Sequence, residues 1–250
     1  TADALFKGLA AVLEARGRKS TDRGEQISTL MKLYEGAQTP YQRIRVLLTL
    51  VAARFDYSTL ASTHMPIEMW KQARDELTTL IKLLLQNLSY LVLEETDDYD
   101  DQVERKPNEN GEGEFVPVRG SVVSFIDRLE DEFTKSLQNT DPHATEYVER
   151  LCDEKLLYQT IVLGQGYFET VLAQQLPEKM ALMVSEPLRR CVMRRLEHIY
   201  SKQDVIILAL ETANHEAQPD APLSRITPSF EEVRTREDGP MHLVHALCVY

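Results

Sequence analysis

Apolar residues recur with the period of an α-helix along most of this chain, and that repetition limits the folds it can adopt. In four segments they return every three or four residues, so they share one side of a helix that must pack against a neighbour. The four sets are Ile27, Leu30, Met31 and Tyr34; Ile44, Leu47, Leu48, Val51 and Phe55; Trp70, Ala73, Leu77, Leu80, Ile81 and Leu84; and Val122, Phe125, Ile126, Leu129, Phe133 and Leu137. We therefore predict an all-α fold.

Residues typical of helix starts divide these segments. Asp22 with Glu25 can form a capping box, while Thr39-Pro40 and Asp141-Pro142 each place a capping side chain before a proline. Thr39-Pro40 predicts two antiparallel helices joined by a short turn. The apolar run at 205–210 fits a helix or a strand, and its surroundings favour a helix; no segment alternates convincingly as a strand does. The expected architecture is a degenerate TPR-like or HEAT-like arm of paired antiparallel helices.

Two segments interrupt the helical pattern. Residues 94–114 hold ten acidic residues against Arg105 and Lys106, with almost nothing apolar, which predicts a disordered acidic loop. Pro219, Pro222 and Pro228 predict a second loop at 214–236. The predicted sections are helical hairpins at 1–93, the flexible loop at 94–117, further helical repeats at 118–213, the loop at 214–236, and the start of another helix at 237–250.

The charge balance narrows the class of partner. The chain has 250 residues and a formal charge of −12, with 40 acidic against 28 basic residues. Nonspecific nucleic-acid binding depends on basic residues that neutralise phosphates, so the chain as a whole is a poor candidate for it, although a local basic face could contact RNA. Three widely spaced cysteines indicate a reducing compartment, and no apolar run approaches the ~18 residues of a membrane span. We expect a cytoplasmic piece of a longer protein.

Three groups of residues are candidate catalytic, metal or phosphate sites, and a purely structural interpretation is favoured for each. Asp127, Glu130, Asp131 and Glu132 lie off the apolar stripe of their helix, which predicts a solvated or partner-facing surface. His242, His245 and Cys248 do not complete a zinc ligand set. Gly164-Gln165-Gly166 lacks the remaining residues of a phosphate loop and predicts a bend between helices. We predict neither enzyme activity nor a cofactor.

A basic run at 189–195 is the one candidate binding surface. Val192, Leu196 and Ile199 form the predicted buried stripe of this helix, so its arginines should gather on the outer side. The candidate docking residues are Arg189, Arg190, Arg194 and Arg195. They could bind RNA phosphates or an acidic protein, or they could form a solvated face paired with nearby acids such as Glu197.

Four stretches of sequence resemble a known family. They are ARGRKSTDRGEQISTL at 15–30, ARFDYSTLASTHMPIEMW at 53–70, VRGSVVSFIDRLEDEFTKSLQNTDPHATEYVERLCDE at 118–154, and RRLEHIYSK at 194–202. All four resemble, in collinear order, the c subunit of eukaryotic translation initiation factor three, in its fungal form. The segment TKSLQNTDPHATEYVE is the most specific of these.

The resemblance implies a non-catalytic scaffold subunit that supports assembly of the pre-initiation complex. It implies contacts with other subunits of the factor, especially the a subunit, and with the small ribosomal subunit, including its RNA. Initiation factors one and five would bind a flexible tail that precedes this segment, and a PCI module would follow it. The alternative is a helical arm of another PCI-type complex, the proteasome lid or the signalosome, which would share the architecture but not the quoted stretches.

Overall fold

The computed structural model describes residues 2–16, 18, 22–58, 63–107, 115–200 and 202–217. The regular secondary structure of these residues is helical apart from two short strands. The chain divides into a first compact unit that ends at Asn139 and a second that begins at Thr140. The all-α prediction is confirmed. The finer prediction of degenerate repeats built from paired helices stays a prediction.

The first unit contains five helices. They are α1 (Ala2–Ala15), α2 (Arg23–Gly36), α3 (Pro40–Ser58), α4 (Ile67–Gln86) and α5 (Val122–Gln138). Helix α3 lies at the centre, packed against α1, α2, α4 and α5. The predicted apolar stripe of α3 explains this central position, because all of its residues are in the core: Ile44, Leu47, Leu48, Val51 and Phe55. The stripe of α4 is equally buried, and α5 buries its stripe except for half-buried Phe125 and Leu137.

Two predicted helix starts in this unit are confirmed at the level of single atoms. The side chain of Asp22 accepts hydrogen bonds from the backbone N–H groups of Gly24 and Glu25, and α3 begins at Pro40 with the Thr39 hydroxyl accepting from Gln42 N at 3.2 Å. Each bond satisfies a backbone donor that the first turn of a helix leaves without a partner. The α2 stripe is only partly confirmed, because Met31 remains 46% exposed.

Two short strands lie in the first unit, although no segment of the sequence alternates convincingly as a strand does. Strands β1 (Tyr90–Leu93) and β2 (Val116–Arg119) pair in parallel, with Tyr90 opposite Val116 and Leu93 opposite Arg119. All four residues of β1 are buried, so no alternation marks it in the sequence. A four-residue buried strand and a partner that contains Pro117 carry too little local signal to be recognised without each other.

The acidic segment between the strands differs from the expected loop without fixed contacts. In its described part, 94–107, Asp101 pairs with Arg45 of α3 at 3.0 Å, and Glu104 accepts a hydrogen bond from Gln42 at 3.0 Å. The Arg105 guanidinium lies 4.4 Å from the centre of the Tyr99 ring. Long-range ion pairs, rather than apolar burial, therefore hold this segment, and composition alone could not show its partners.

The second unit contains α6 (Thr145–Cys152), α7 (Glu154–Leu172), α8 (Glu178–Ile199) and α9 (Asp204–Ala217). Helix α7 packs against α6, α8 and α9 and is buried along much of its length. The run at 205–210 lies in α9, which confirms the helical interpretation. Helix α6 begins at Thr145 rather than at Asp141-Pro142, because Asp141 accepts from His143 N and forms a turn instead.

Other predictions for this unit have mixed outcomes. The predicted bend at Gly164-Gln165-Gly166 is wrong, because α7 runs through these three buried residues without a break. Helix α9 extends to Ala217 into the predicted loop at 214–236; the rest of that loop and the predicted helix start at 237–250 lie outside the described residues. The division at Asn139 falls inside the predicted section 118–213, because α5 packs on α3 and α4. Within the described ranges, no helix is sufficiently long and apolar to span a bilayer.

We expect the α4 stripe to dominate the stability of the first unit. Replacing Leu80, which is fully buried, with alanine should lower the free energy of unfolding by roughly 2–5 kcal/mol through loss of apolar contact and the cavity left behind. Val103→Ala is the matched control, because Val103 is 53% exposed, and it should cost less than about 1 kcal/mol. Trp70, the single tryptophan, lies in α4, so its fluorescence during urea unfolding reports on this unit. Equal effects of the two substitutions would contradict the assignment.

Candidate docking surface on helix α8

Helix α8 presents one face to the interior and another to solvent. Its buried residues are Val184, Leu188, Cys191, Val192, Arg195, His198 and Ile199. Of the predicted stripe, Val192 and Ile199 are buried, whereas Leu196 is half-buried at its edge. The buried face is therefore rotated toward Cys191 and Arg195 relative to the prediction.

Arg195 belongs to the interior, so its prediction as a docking residue is wrong. Only 3% of its side chain is exposed. Its guanidinium donates three hydrogen bonds, to the Tyr158 hydroxyl at 3.0 Å, to Gln165 Oε1 at 3.0 Å and to Glu211 Oε1 at 2.9 Å. Tyr158 in turn donates its own hydroxyl hydrogen to Glu211. A buried guanidinium needs such partners, and these come from α7 and α9.

The protonation states of this buried cluster are fixed by its geometry. Burial alone would lower the pKa of Arg195, but the Glu211 carboxylate and Tyr158 outweigh burial and hold that pKa above its ordinary value. Burial also raises the pKa of the Tyr158 hydroxyl, so the phenol stays neutral and remains a donor. The cluster joins α7, α8 and α9 through the ion pair of Arg195 and Glu211 and the neutral hydroxyl of Tyr158.

A second polar contact joins the end of α8 to the start of α7. Glu154, the first residue of α7, accepts hydrogen bonds from His198 Nδ1 at 2.7 Å and from the Lys202 ammonium group. Burial raises the pKa of this carboxyl, but the hydrogen bonds from His198 and Lys202 more than offset it, so the pKa of Glu154 lies below its usual range. The carboxylate is therefore ionised under physiological conditions and ties the two helix ends together.

The other three predicted docking arginines lie nearer to solvent. Arg189 is exposed and forms an ion pair with Glu186, one turn earlier on α8. Arg194 is 28% exposed and pairs with Glu197 at 3.0 Å. Arg190 is half-buried. The solvated pairing that the sequence left open is thus present for Arg189 and Arg194, and such exposed pairs are weak enough to exchange partners.

Large apolar side chains surround these arginines on the outer face. Leu182 is 67% exposed, Met193 52% and Tyr200 79%. Intervals of seven, four and seven residues separate Leu182, Arg189, Met193 and Tyr200, which places all four on one side of the helix. We call these four residues the outer edge of α8. Sequence periodicity could have located this edge, because it lies opposite the buried stripe.

The remaining candidates from the sequence do not form a site. Asp131 is exposed and Asp127 and Glu130 are half-buried, but Glu132 is a structural acid whose Oε2 accepts the Met65 backbone N–H at 2.7 Å. The prediction that Glu132 faces solvent is wrong. Over the described ranges, no three histidine, cysteine or carboxylate side chains are grouped as metal ligands. His242, His245 and Cys248 lie outside those ranges.

Comparison with known proteins identifies the family. The family model described as "Eukaryotic translation initiation factor 3 subunit 8 N-terminus" matches residues 1–250. The chain belongs to this family. The C subunit of eukaryotic translation initiation factor 3 from Mycosarcoma maydis is 56% identical over the whole chain, and the C subunits of the same factor from Pyricularia oryzae and Emericella nidulans are each 43% identical.

The match covers all of this chain but a small part of each relative. The chain spans 26% of the Mycosarcoma maydis protein and 28% of the Pyricularia oryzae and Emericella nidulans proteins. These relatives are fungal, as the resemblance in the sequence implied. The family resemblance is thereby confirmed over the full 250 residues, including those outside the four quoted stretches.

The two adjacent arginines should differ in how much stability is lost when their charge is removed. Arg195→Met leaves Glu211 buried without its main partner and should cost about 3–5 kcal/mol of stability, whereas Arg194→Met should cost less than about 1 kcal/mol. Urea unfolding followed by circular dichroism measures both. Adding Glu211→Met to Arg195→Met removes the stranded charge and should recover stability. A double variant no more stable than Arg195→Met would contradict the ion-pair explanation.

Proposed function

We propose that this chain is a helical section of a non-catalytic scaffold subunit of eukaryotic translation initiation factor three. The observation that carries the proposal is the family match over the whole chain. The names of the relatives favour this factor over the alternative of a proteasome lid or signalosome arm. The interior described above is consistent with a scaffold, because its buried charged groups join helices to one another.

The proposed role takes place in the cytoplasm, where the subunit would support assembly of the pre-initiation complex on the small ribosomal subunit. Its proposed partners are the other subunits of the factor, especially the a subunit, and the small ribosomal subunit. Initiation factors one and five would bind a tail that precedes this section in the longer protein.

The outer edge of α8 is the surface we assign to a partner subunit. Leu182, Met193 and Tyr200 are exposed apolar side chains around Arg189, and methionine, tyrosine and arginine are enriched at protein–protein interfaces. Tyrosine and arginine are also the residues that most often dominate interface energy. A partner with apolar side chains and a carboxylate would match the edge, and its carboxylate could replace Glu186 on Arg189.

A ribosomal RNA phosphate is the second candidate for the same helix. Arg190 and Arg194 lie beside the outer edge and could bind phosphate. Glu186 and Glu197, however, already pair with Arg189 and Arg194 and would repel an RNA backbone. The exposed apolar side chains gain nothing from phosphate contact. The composition of this face therefore favours a protein partner.

Charge reversal on this helix separates docking from folding. Arg189→Glu with Arg194→Glu should leave the melting temperature of the chain nearly unchanged, because both side chains reach solvent. Binding to the purified remaining subunits of initiation factor three should weaken at least about tenfold. Lys82→Glu with Lys155→Glu is the matched control, since both lysines are exposed and the charge change is the same.

The same variants should also be tested on purified small ribosomal subunits alone. Unchanged binding to the other factor subunits, with a loss confined to the ribosomal subunit, would contradict protein docking at this edge and favour RNA contact. If the lysine control weakened binding to the same extent, the loss of binding would be a general effect of net charge.

A further inference from the structure

A cavity in the first unit collects arginines in a chain that is otherwise strongly acidic. It has a volume of about 350 Å³ and lies between the end of α1, the helices α3 and α5, and strand β2. Its walls carry four arginines, Arg16, Arg45, Arg119 and Arg128, whereas Asp101 is the one acidic residue among its described lining residues. Its size lies within the usual range of ligand pockets.

The cavity combines these charges with an apolar surface. Leu48, Ala52 and Phe125 contribute apolar lining, and the Arg128 guanidinium lies 4.6 Å from the centre of the neighbouring Phe55 ring. Burial lowers the pKa of Arg128, with Asp56 acting in the opposite direction, and its side chain is 38% exposed toward the cavity mouth and solvent. A site of this kind suits a ligand that carries both a carboxylate and an aromatic or apolar group.

The acidic segment of the chain already places such groups at one side of the cavity. Asp101 pairs with Arg45, and Tyr99 lines the cavity with its ring against the guanidinium groups of Arg105 and Arg119, at 4.4 and 5.6 Å. The Tyr99 hydroxyl also accepts the Arg119 backbone N–H at 2.9 Å. These contacts show that the arginine walls accept a carboxylate and an aromatic ring. Arg16 and Arg128 lie on another part of the wall, where Asp56 pairs with both.

We propose that this cavity is a docking site for an acidic peptide segment with an aromatic residue, and that Tyr99 and Asp101 of the chain itself compete for it. An incoming carboxylate would replace Asp101 on Arg45 or share Arg16 and Arg128 with Asp56. Its aromatic side chain would occupy the apolar part. This inference goes beyond the scaffold role and concerns a different unit from the α8 surface.

A peptide is favoured over an RNA backbone by the acids around the cavity. Asp98 and Asp101 each pair with one of the four arginines, and Asp56 pairs with two. A run of phosphates would therefore meet nearby negative charge. One or two carboxylates can exchange with these acids singly, since Asp98 and Asp101 are both well exposed. The apolar lining adds affinity for a side chain but not for phosphate.

The test uses the fluorescein-labelled peptide ETDDYDDQ, which has the sequence of residues 95–102, and the 250-residue chain. Because a tethered competitor acts at an effective concentration near the millimolar range, the wild type should bind the peptide weakly. Tyr99→Ser with Asp101→Asn removes the competitor and should tighten binding at least about tenfold. A peptide with serine in place of tyrosine should lose that gain.

Two further variants locate the binding on the arginine walls. Arg16→Gln with Arg128→Gln, made in the tighter-binding background, should weaken binding at least about tenfold, whereas Lys32→Gln with Lys82→Gln, which removes the same charge from exposed positions, should not. Circular dichroism checks that each variant folds. If the arginine variant unfolds, the gain on removing Tyr99 and Asp101 decides the question alone.

Three results would overturn the proposal. The first is equal peptide affinity of the wild type and the Tyr99→Ser, Asp101→Asn variant. The second is an arginine variant that folds and binds as tightly as its lysine control. The third is arginine-dependent binding of a labelled ten-nucleotide uridine RNA together with no binding of the peptide, which would assign the cavity to nucleic acid.

Discussion

The buried guanidinium of Arg195 is the interaction on which the second unit depends. Apolar contacts between helices tolerate small rotations, but three directed hydrogen bonds to Tyr158, Gln165 and Glu211 fix how α8 faces α7 and α9. Removing a charged group from water is costly, and that cost is offset only when all of these partners are in place. The orientation of α8, and with it the outer edge at Arg189 and Met193, follows from this cluster.

The first unit uses an arginine in the same way. Arg54 of α3 donates to Glu76 at 2.7 Å and to Gln72 at 2.7 Å, both on α4, and only 8% of its side chain is exposed. Burial raises the pKa of Glu76, with Arg54 opposing the rise. In a chain with 40 acidic residues, the buried arginines Arg54 and Arg195 each pair with a carboxylate on a neighbouring helix. Arg189 and Arg194 instead pair with acids of their own helix and lie nearer to solvent.

Sequence periodicity predicted the parts of the fold that depend on apolar burial. The stripes of α3 and α4, and most of that of α5, are in the core because apolar residues spaced by three and four share one side of a helix. Arg195 continues the three- and four-residue interval from Leu188 and Cys191, so its spacing predicts burial although its charge indicates an exposed position. The spacing is the better guide to burial. A buried arginine then needs a carboxylate from elsewhere in the chain as its partner.

Features that depend on contacts between residues far apart in the chain could not be predicted from the sequence. Strands β1 and β2 identify each other only once paired, and the acidic segment holds its place through Arg45 and Tyr99 rather than through apolar residues. The cavity between α1, α3 and α5 likewise arises from residues far apart in the chain, including Arg16 and Arg128. Composition described this region correctly as acidic and could not show that arginines face it.

The central claim is that the outer edge of α8 meets another subunit while the arginine cluster beneath it holds the helix. A photoreactive benzoylphenylalanine at Met193, which is 52% exposed, tests this most directly in reconstituted initiation factor three. The account predicts a covalent link from this position to another subunit of the factor, and none from the same probe at the exposed Lys155 of α7. No link from Met193 to another subunit, or equal links from Met193 and Lys155, would contradict it.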